Sequence, residues 1–429
     1  MRLTKLGDAF LRSAAYERRF LAKNPWDLAM VVWIPLTTVL LIWWIFSQIQ
    51  ITDLPIGVID NDRGPIANTA VRYLEANPNL TVKQLYHTPA AARAAILQRD
   101  IYAIVIIPED FSRNISSSKP APIILQVNAQ YGTHSGIIQT SVQSVIGTLS
   151  AGVEMKRLVK QGMAPSQAAI AYSPIKIQRI SLFNAATDYQ QFLASTVIPA
   201  LLHILAMVIG ATTIGRELRD KRIGHWYRFI EGSRPNLTLP SNNEFQYNAA
   251  DKVSNRPLST PRNVSVLLLI SGLLGKYFWP LLAYSIWSLL ALWLAAPQQS
   301  IAISALMVTY VSLVLLMMLS FWLGAIFTLS SFSLRMGLSA TGFISAPSYA
   351  FAGVTFPYVA ISKNAQHWSD VLPLTHYLKL HIAQLQMQAP VIISLPIVYG
   401  LTLATLVTLY LTALLSKRAL AHPERWGAR

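Results

Sequence analysis

Residues able to do chemistry are thinly spread in this sequence. There are eight histidines, scattered along the chain, and no cysteine, and no HExxH, GxSxG or Cys/His cluster occurs. Zinc chemistry and an activated nucleophile therefore have no recognisable frame. The text SGLLGKYF at 271–278 carries a Gly-Lys pair, but it has neither the GxxxxGK[ST] spacing nor a soluble strand before it. It cannot cradle a nucleotide, and an embedded enzyme is the weakest reading.

The one dense group of charges is IGRELRDKRIGHWYRFIEGSRP (214–235), with six charged side chains in the seven positions Arg216 to Arg222 of a chain only 13% charged. Written as a helix, Ile223, Trp226, Tyr227 and Ile230 follow i, i+3, i+4, i+7 spacing and form an apolar stripe, while Glu217 and Lys221 fall at i, i+4. A basic flank that only fixes membrane topology is one reading. Glu217, Asp220 and the aromatic stripe exceed that need, so a docking surface is the reading preferred here.

These residues sit in a membrane frame. The 429-residue chain is 53% hydrophobic, and about 20 helical residues cover a hydrocarbon core of roughly 30 Å. Its net charge of +16 would suggest nucleic acid only if the basic residues shared one soluble face. They do not, and no nucleic-acid partner is expected. Absent cysteines exclude disulfides and leave the redox compartment open. The N-terminus lacks an h-region with a cleavage site, so the first apolar run reads as a retained span.

The hydropathy pattern predicts six spans. They fall at 26–49, 190–213 and, within 266–415, at about 266–296, 301–329, 336–357 and 391–415. Pro35 is expected to kink the first, and Lys276 suggests that the third begins near Tyr277. Between the first two spans, residues 50–188 change character. DLPIGVID (53–60), DIYAIVIIP (100–108) and APIILQVNA (121–129) read as strands, and 65–76, 89–99 and 134–172 as helices. That alternation implies a small α/β domain outside the membrane plane. A polar stretch at 232–262, rich in Asn, Ser and Pro, reads as a flexible loop. Basic residues gather in 1–25, 214–265 and the tail 416–429. With six spans these share one side, so both termini and the charged stretch are expected in the cytoplasm and the α/β domain outside.

The sequence resembles the permease subunits of ABC-2-type exporters, close to the bacterial branch with a large external domain after the first span. Gly215, Arg216, Glu217 and Gly224 match the family's coupling-helix pattern. FAGVTFPYVAI (351–361) and VLPLTHYLKL (371–380) are similar to its external FP and LPLTY segments, through Gly353, Phe356, Pro357, Pro373, Leu374, Thr375 and Tyr377. ERRFLAKNP (17–25) is similar to its interfacial helix, and VIDND (58–62) and VIIPEDF (105–111) to its external domain. This copy differs in carrying Arg219, His225 and Ala352 at matched positions.

The resemblance implies an α-helical polytopic membrane protein of ABC-2 type, with six transmembrane helices and an inserted extracytoplasmic α/β domain. It implies an inner-membrane exporter subunit that works as a dimer, with a homomeric or paralogous twin, on two separate cytoplasmic ATPases. ATP and Mg would be bound by the partner ATPase, and this chain would hold no cofactor. Arg216, Glu217, Asp220, Gly224, Trp226, Tyr227 and Glu17 would couple to the ATPase. An external re-entrant segment at 351–389 would provide a gate through Gly353, Phe356 and Pro357.

His203 and Met207 share a face of the second span, and Phe192 lies further along it. Packing is the simpler role for these three, and lining an apolar path the functional one. Asp60, Asp62 and Arg63 follow a strand and read as a turn. The external domain is expected to contact a periplasmic adaptor or its own twin, and lipids surround the spans. An apolar or amphipathic substrate, such as a drug, a lipid-like molecule or a peptide, suits the apolar spans. A non-transporting receptor or scaffold is the alternative. An ion-coupled carrier is disfavoured, because His203 and Asp27 are essentially the only ionisable residues expected within the spans.

Overall fold

The computed structural model describes residues 2–47, 51–172, 182–184, 188–232, 264–296 and 301–427. Apart from Gly232, the loop expected at 232–262 lies outside them. Contacts divide the chain into two compact units, residues 50–182 and the remainder.

The larger unit begins with α1 (Arg2–Lys23), whose polar and apolar residues segregate to opposite faces. Asn24 adopts an extended conformation and caps the next helix, α2 (Pro25–Val31), where proline at the first position needs no amide donor. A break at Val32 separates α2 from α3 (Trp33–Ile45), with a bend of 41°. Pro35 has no N–H for the Val31 carbonyl and its ring crowds that carbonyl, so the bend falls one turn upstream of the proline.

The second unit contains β1 (Leu54–Asp60), α4 (Pro65–Glu75), β2 (Leu80–Leu85), α5 (Pro89–Leu97), β3 (Ala103–Ile107), α6 (Phe111–Ser116), β4 (Ile124–Val127), α7 (Gly132–Lys160) and α8 (Pro165–Tyr172). The sheet order is β2-β1-β3-β4, with β1 parallel to β2 and β3, and β4 antiparallel to β3. Ile56, Val58, Ala103 and Val105 meet α4 and α7 in one core. Ile59, Ile101 and Ile104 meet α5 in another. Asp60 and Asp62 are spent on the turn after β1. Asp60 Oδ1 accepts from the amides of Asp62 and Arg63 at 3.0 and 2.9 Å, and Asp62 Oδ2 lies 2.5 Å from Ser112 Oγ.

The larger unit resumes with a π-helical turn, Gln190–Ala194, leading into α9 (Ser195–Arg219) and then α10 (Ile223–Glu231). After them come α11 (Val266–Ala295), α12 (Ile303–Ser331), α13 (Leu334–Ser345), α14 (Ser348–Phe351), α15 (Lys363–Val371), α16 (Pro373–His381) and α17 (Val391–Ala421). Among the described residues, four stretches are long and apolar enough to cross a bilayer: Gln190–Arg219, Val266–Ala295, Ile303–Ser331 and Val391–Ala421. The bent α2–α3 pair makes a fifth if counted as one span. The run at 336–357 is not one continuous helix. Pro347 has no N–H with which to continue the helical ladder beyond Ser345, although Ala346 keeps helical angles, and Gly353 is left-handed at φ +79°.

Helices α9 and α12 form the closest seam of the bundle. A Cβ at Gly210 would overlap the Phe321 carbonyl, and one at Gly324 would overlap the Met207 carbonyl. Tyr277 Oη donates to the Gly210 carbonyl at 2.7 Å across from α11.

Candidate functional site

The charged stretch at 214–222 does not continue as one helix. Lys221 takes φ +55° between α9 and α10, so the two helices join through a tight turn. Before that turn, Arg216 and Glu217 are buried, at 5% and 3% exposure. Arg216 forms an ion pair with Glu17 of α1, and its Nη1 lies 3.4 Å from Asp27 of α2. Lys276 of α11, with no exposed surface, places Nζ 2.7 Å from Glu217 and 3.3 Å from Glu17.

Two cations and three carboxylates thus form one closed clasp joining four helices. Isolated charges of this kind are costly to bury, and mutual pairing makes the burial tolerable. Aromatic faces complete the enclosure. The Arg216 guanidinium lies 3.7 Å from the centre of the Phe20 ring, and Lys276 Nζ lies 4.8 Å from that of Tyr16. Tyr16 Oη donates to Glu217 at 3.4 Å. Burial, reinforced by Glu217, pushes the Tyr16 phenol above its ordinary range, so it keeps its proton.

The pairing of Glu217 with Lys221 expected from spacing is replaced by Glu217 with Lys276. Lys276 lies within the unbroken helix Val266–Ala295. It is an interior residue of α11 and counter-ion to two glutamates. The buried ionisable set consequently extends well beyond His203 and Asp27. A lysine inside a long apolar run was itself the available signal, since such a charge normally has a partner.

The apolar stripe of α10 is real, but it faces inward. Ile223, Trp226, Tyr227 and Ile230 are at most 1% exposed, and Trp226 Nε1 donates to Ser13 Oγ of α1 at 3.0 Å. Close approach of α1 to α11 adds to this packing. A Cβ at Gly275 would overlap the Phe10 carbonyl, Trp279 Nε1 donates to the Ala14 carbonyl at 2.9 Å, and Ser271 Oγ to the Leu6 carbonyl at 2.5 Å. The stripe is therefore occupied within the chain, which overturns the reading of it as a free docking surface. What faces outward is the turn itself, with Arg219, Asp220 and Lys221 exposed and Arg219 Nε 2.8 Å from Asp220. Gly224 lies beneath Trp426.

The residues considered for a translocation path are dispersed. His203 Nδ1 lies 2.6 Å from Ser320 Oγ of α12, and Met207 is fully buried on the same seam. Both are packing residues within the chain. Phe192, in the π-helical turn, is 37% exposed and edge-on to Tyr189. Gly353 is half-buried in its left-handed turn, whereas Phe356 and Pro357 are exposed. Tyr358 donates to Asp370 Oδ2 at 3.0 Å and Ser369 Oγ to the Phe351 carbonyl at 2.8 Å, which folds α15 back beside α14. Among the described residues, no group of three His, Asp or Glu could hold a metal.

The buried clasp thus ties four helices beside a charged, exposed turn. The family model described as ABC-2 family transporter protein matches residues 25–235. Over those residues the chain carries the sequence of the ABC-2 transporter family, which supports an ABC-2-type permease. No curated protein and no solved structure gives a significant match. The matched span contains α2, α3, the whole α/β unit, α9 and α10. Of the clasp residues, Asp27, Arg216 and Glu217 lie within it, and Glu17 and Lys276 outside. That match, with the long apolar helices, points to a multi-pass membrane transport component and implies partnership with ABC ATPase subunits.

Proposed function

We propose that this chain is the membrane-spanning permease subunit of an ATP-driven exporter in the bacterial inner membrane. Two copies, or one copy and a paralogue, would pair around a shared pathway and be driven by two separate ATPases. In this reading α13 and α14 together supply the sixth crossing, both termini and the α9–α10 turn face the cytoplasm, and the α/β unit lies outside. Val197, Leu201, Ile204 and Val208 form the half-exposed stripe of α9 and would face the pathway near the twin. Phe192, Phe356 and Pro357 would lie towards its outer end. The substrate is an apolar or amphipathic compound.

The observation that carries this reading is the clasp. Glu17, Arg216, Glu217 and Lys276 make α1, α9 and α11 move together, and Trp226 ties α10 to α1, so a push on the exposed turn reaches the seam between α9 and α12. The coupling role therefore divides in two. Asp220 and its neighbours in the turn receive the ATPase, while Glu17, Arg216, Glu217, Trp226 and Tyr227 transmit its motion from inside. The basic character of the turn favours an acidic surface on the partner.

The test is co-purification with the co-encoded ATPase, followed by ATP turnover in lipid vesicles. Reversing the basic charge of the turn, with Arg219→Glu and Lys221→Glu, is expected to lower association about ten-fold or more without lowering the amount of folded chain, on the scale of charge juxtaposition at an interface. Glu217→Gln is expected to leave association in place and to uncouple turnover from transport. Unchanged association in the turn variants sinks the docking role. Transport without ATP that collapses with an ionophore sinks the permease reading altogether.

A further inference from the structure

Beyond α17 the chain does not trail away. His422 breaks the helix and Pro423–Arg425 form a single 3-10 turn, after which the Trp426 amide donates to the Pro423 carbonyl at 3.3 Å. Trp426 Nε1 donates back to the Ala419 carbonyl at 2.7 Å, which fixes the indole at the end of α17. The ring lies over the start of α10, where a Cβ at Gly224 would come 3.0 Å from Trp426 Cη2 and 3.6 Å from Cζ3. Any side chain here would press on the indole and force it back by a few tenths of an ångström.

The next residue reaches the α9–α10 turn itself. Gly427, at φ +74°, lies so that a Cβ on it would be 3.3 Å from the Arg219 carbonyl and 3.5 Å from Lys221 Cε. On its other side the tail holds the turn between α12 and α13. Phe332 there is buried at φ +56°, and the guanidinium carbons of Arg418 and Arg425 lie 5.5 and 5.6 Å from the centre of its ring. These distances suit cation–π attraction. His422 meets the same ring edge-on at 6.5 Å.

We propose that the C-terminal tail, pinned by Trp426 over Gly224, is half of the ATPase-docking surface, so that the partner seats on the α9–α10 turn and the tail together. The proposal rests on the permease reading above. Arg219, Lys221, Arg418 and Arg425 are exposed around this patch against Asp220 and Glu424, so cations exceed anions and the complementary surface is acidic. The arrangement also gives Gly224 a physical role. Its missing side chain seats the tail, and the tail ties the receiving turn to α17 and to the α12–α13 turn.

The test uses the full chain with its co-encoded ATPase. In Trp426→Ala, amide hydrogen exchange across 219–225 is expected to quicken several-fold, and ATPase association to weaken about five-fold or more, as for loss of one buried aromatic anchor. Trp426→Phe should restore most of both. Ala419 and the remainder of α17 serve as the internal control for folding, and their exchange should stay slow. Unchanged exchange at 219–225 overturns the pinning. Faster exchange with unchanged association overturns the docking role of the tail. A wild-type chain that binds no ATPase overturns the permease reading and the tail proposal with it, whereas wild-type binding that survives Trp426→Ala overturns the tail proposal alone.

Discussion

The two ends of α9 are both polar, yet they are built differently. At its C-terminal end, Arg216 and Glu217 are locked by charge to Glu17 and Lys276, which are buried, and to the partly exposed Asp27. At the other end the contacts are neutral. Gln386 Nε2 donates to the Gln191 carbonyl at 3.1 Å and to Ser195 Oγ at 3.0 Å, Gln190 Nε2 to the Trp43 carbonyl at 2.9 Å, and Thr196 Oγ1 lies 2.9 Å from Tyr349 Oη. Both glutamine-bearing segments, Gln190–Ala194 and Ile382–Gln386, are π-helical turns, a geometry that is rare in helices and frequent at functional sites. Charge at one end makes a joint that can only move as a block. Neutral amides at the other make one whose bonds can be exchanged for equivalents at little cost.

The strongest way to break this comparison is to remove the lysine that holds two glutamates. Lys276→Met keeps the volume but leaves Glu17 and Glu217 short of a counter-charge. It is expected to lower unfolding free energy in detergent by about 3–5 kcal/mol, the range for breaking one side of a buried pair. Adding Glu217→Gln in the same chain should recover part of that loss, because the orphaned charge disappears. A loss near zero in the single variant would mean that water reaches the site and that the clasp does not bind the helices together.

The neutral end should respond far less. Gln386→Ala removes two hydrogen bonds, one to the Gln190–Ala194 turn and one to Ser195 at the start of α9, with an expected loss of about 1 kcal/mol. Exchange at the Gln190–Ala194 amides should quicken while that of α1 and the C-terminal half of α9 does not change. A loss as large as that of Lys276→Met would erase the distinction between the two ends.

How much of this was legible beforehand depends on whether neighbours in sequence were also neighbours in space. Strands β1 and β3 showed as apolar runs because both faces of a central strand are covered. Strand β2, LTVKQL, was missed, since an edge strand buried fully only at Leu80 carries polar residues like those of a loop. The stripe on α10 was visible from its spacing, but periodicity reveals that a face is apolar and not what covers it. Its cover comes from α1 and α11, which no local pattern ties to α10. The partners of Lys276 were out of sight for the same reason, its glutamates being 59 and 259 positions away. The broken run at 336–357 carried its marks openly in Pro347 and Gly353, and its overall hydropathy masked them.

The smallest expected effect isolates burial as the cause. Lys83 and Asp100 in the α/β unit lie 3.0 Å apart, as close as the members of the clasp, but their side chains are 50% and 48% exposed. Lys83→Ala is expected to change stability by no more than about 0.5 kcal/mol, because solvent already screens an exposed pair and holding two long side chains costs entropy. Hydrogen exchange of Leu80–Leu85 and Ala103–Ile107 in the full chain is the measurement, and raising salt should make no further difference to the variant. If Lys83→Ala instead released these strands as Lys276→Met releases the helices, proximity of opposite charges alone would account for both, and the weight placed on desolvation at the clasp would be misplaced.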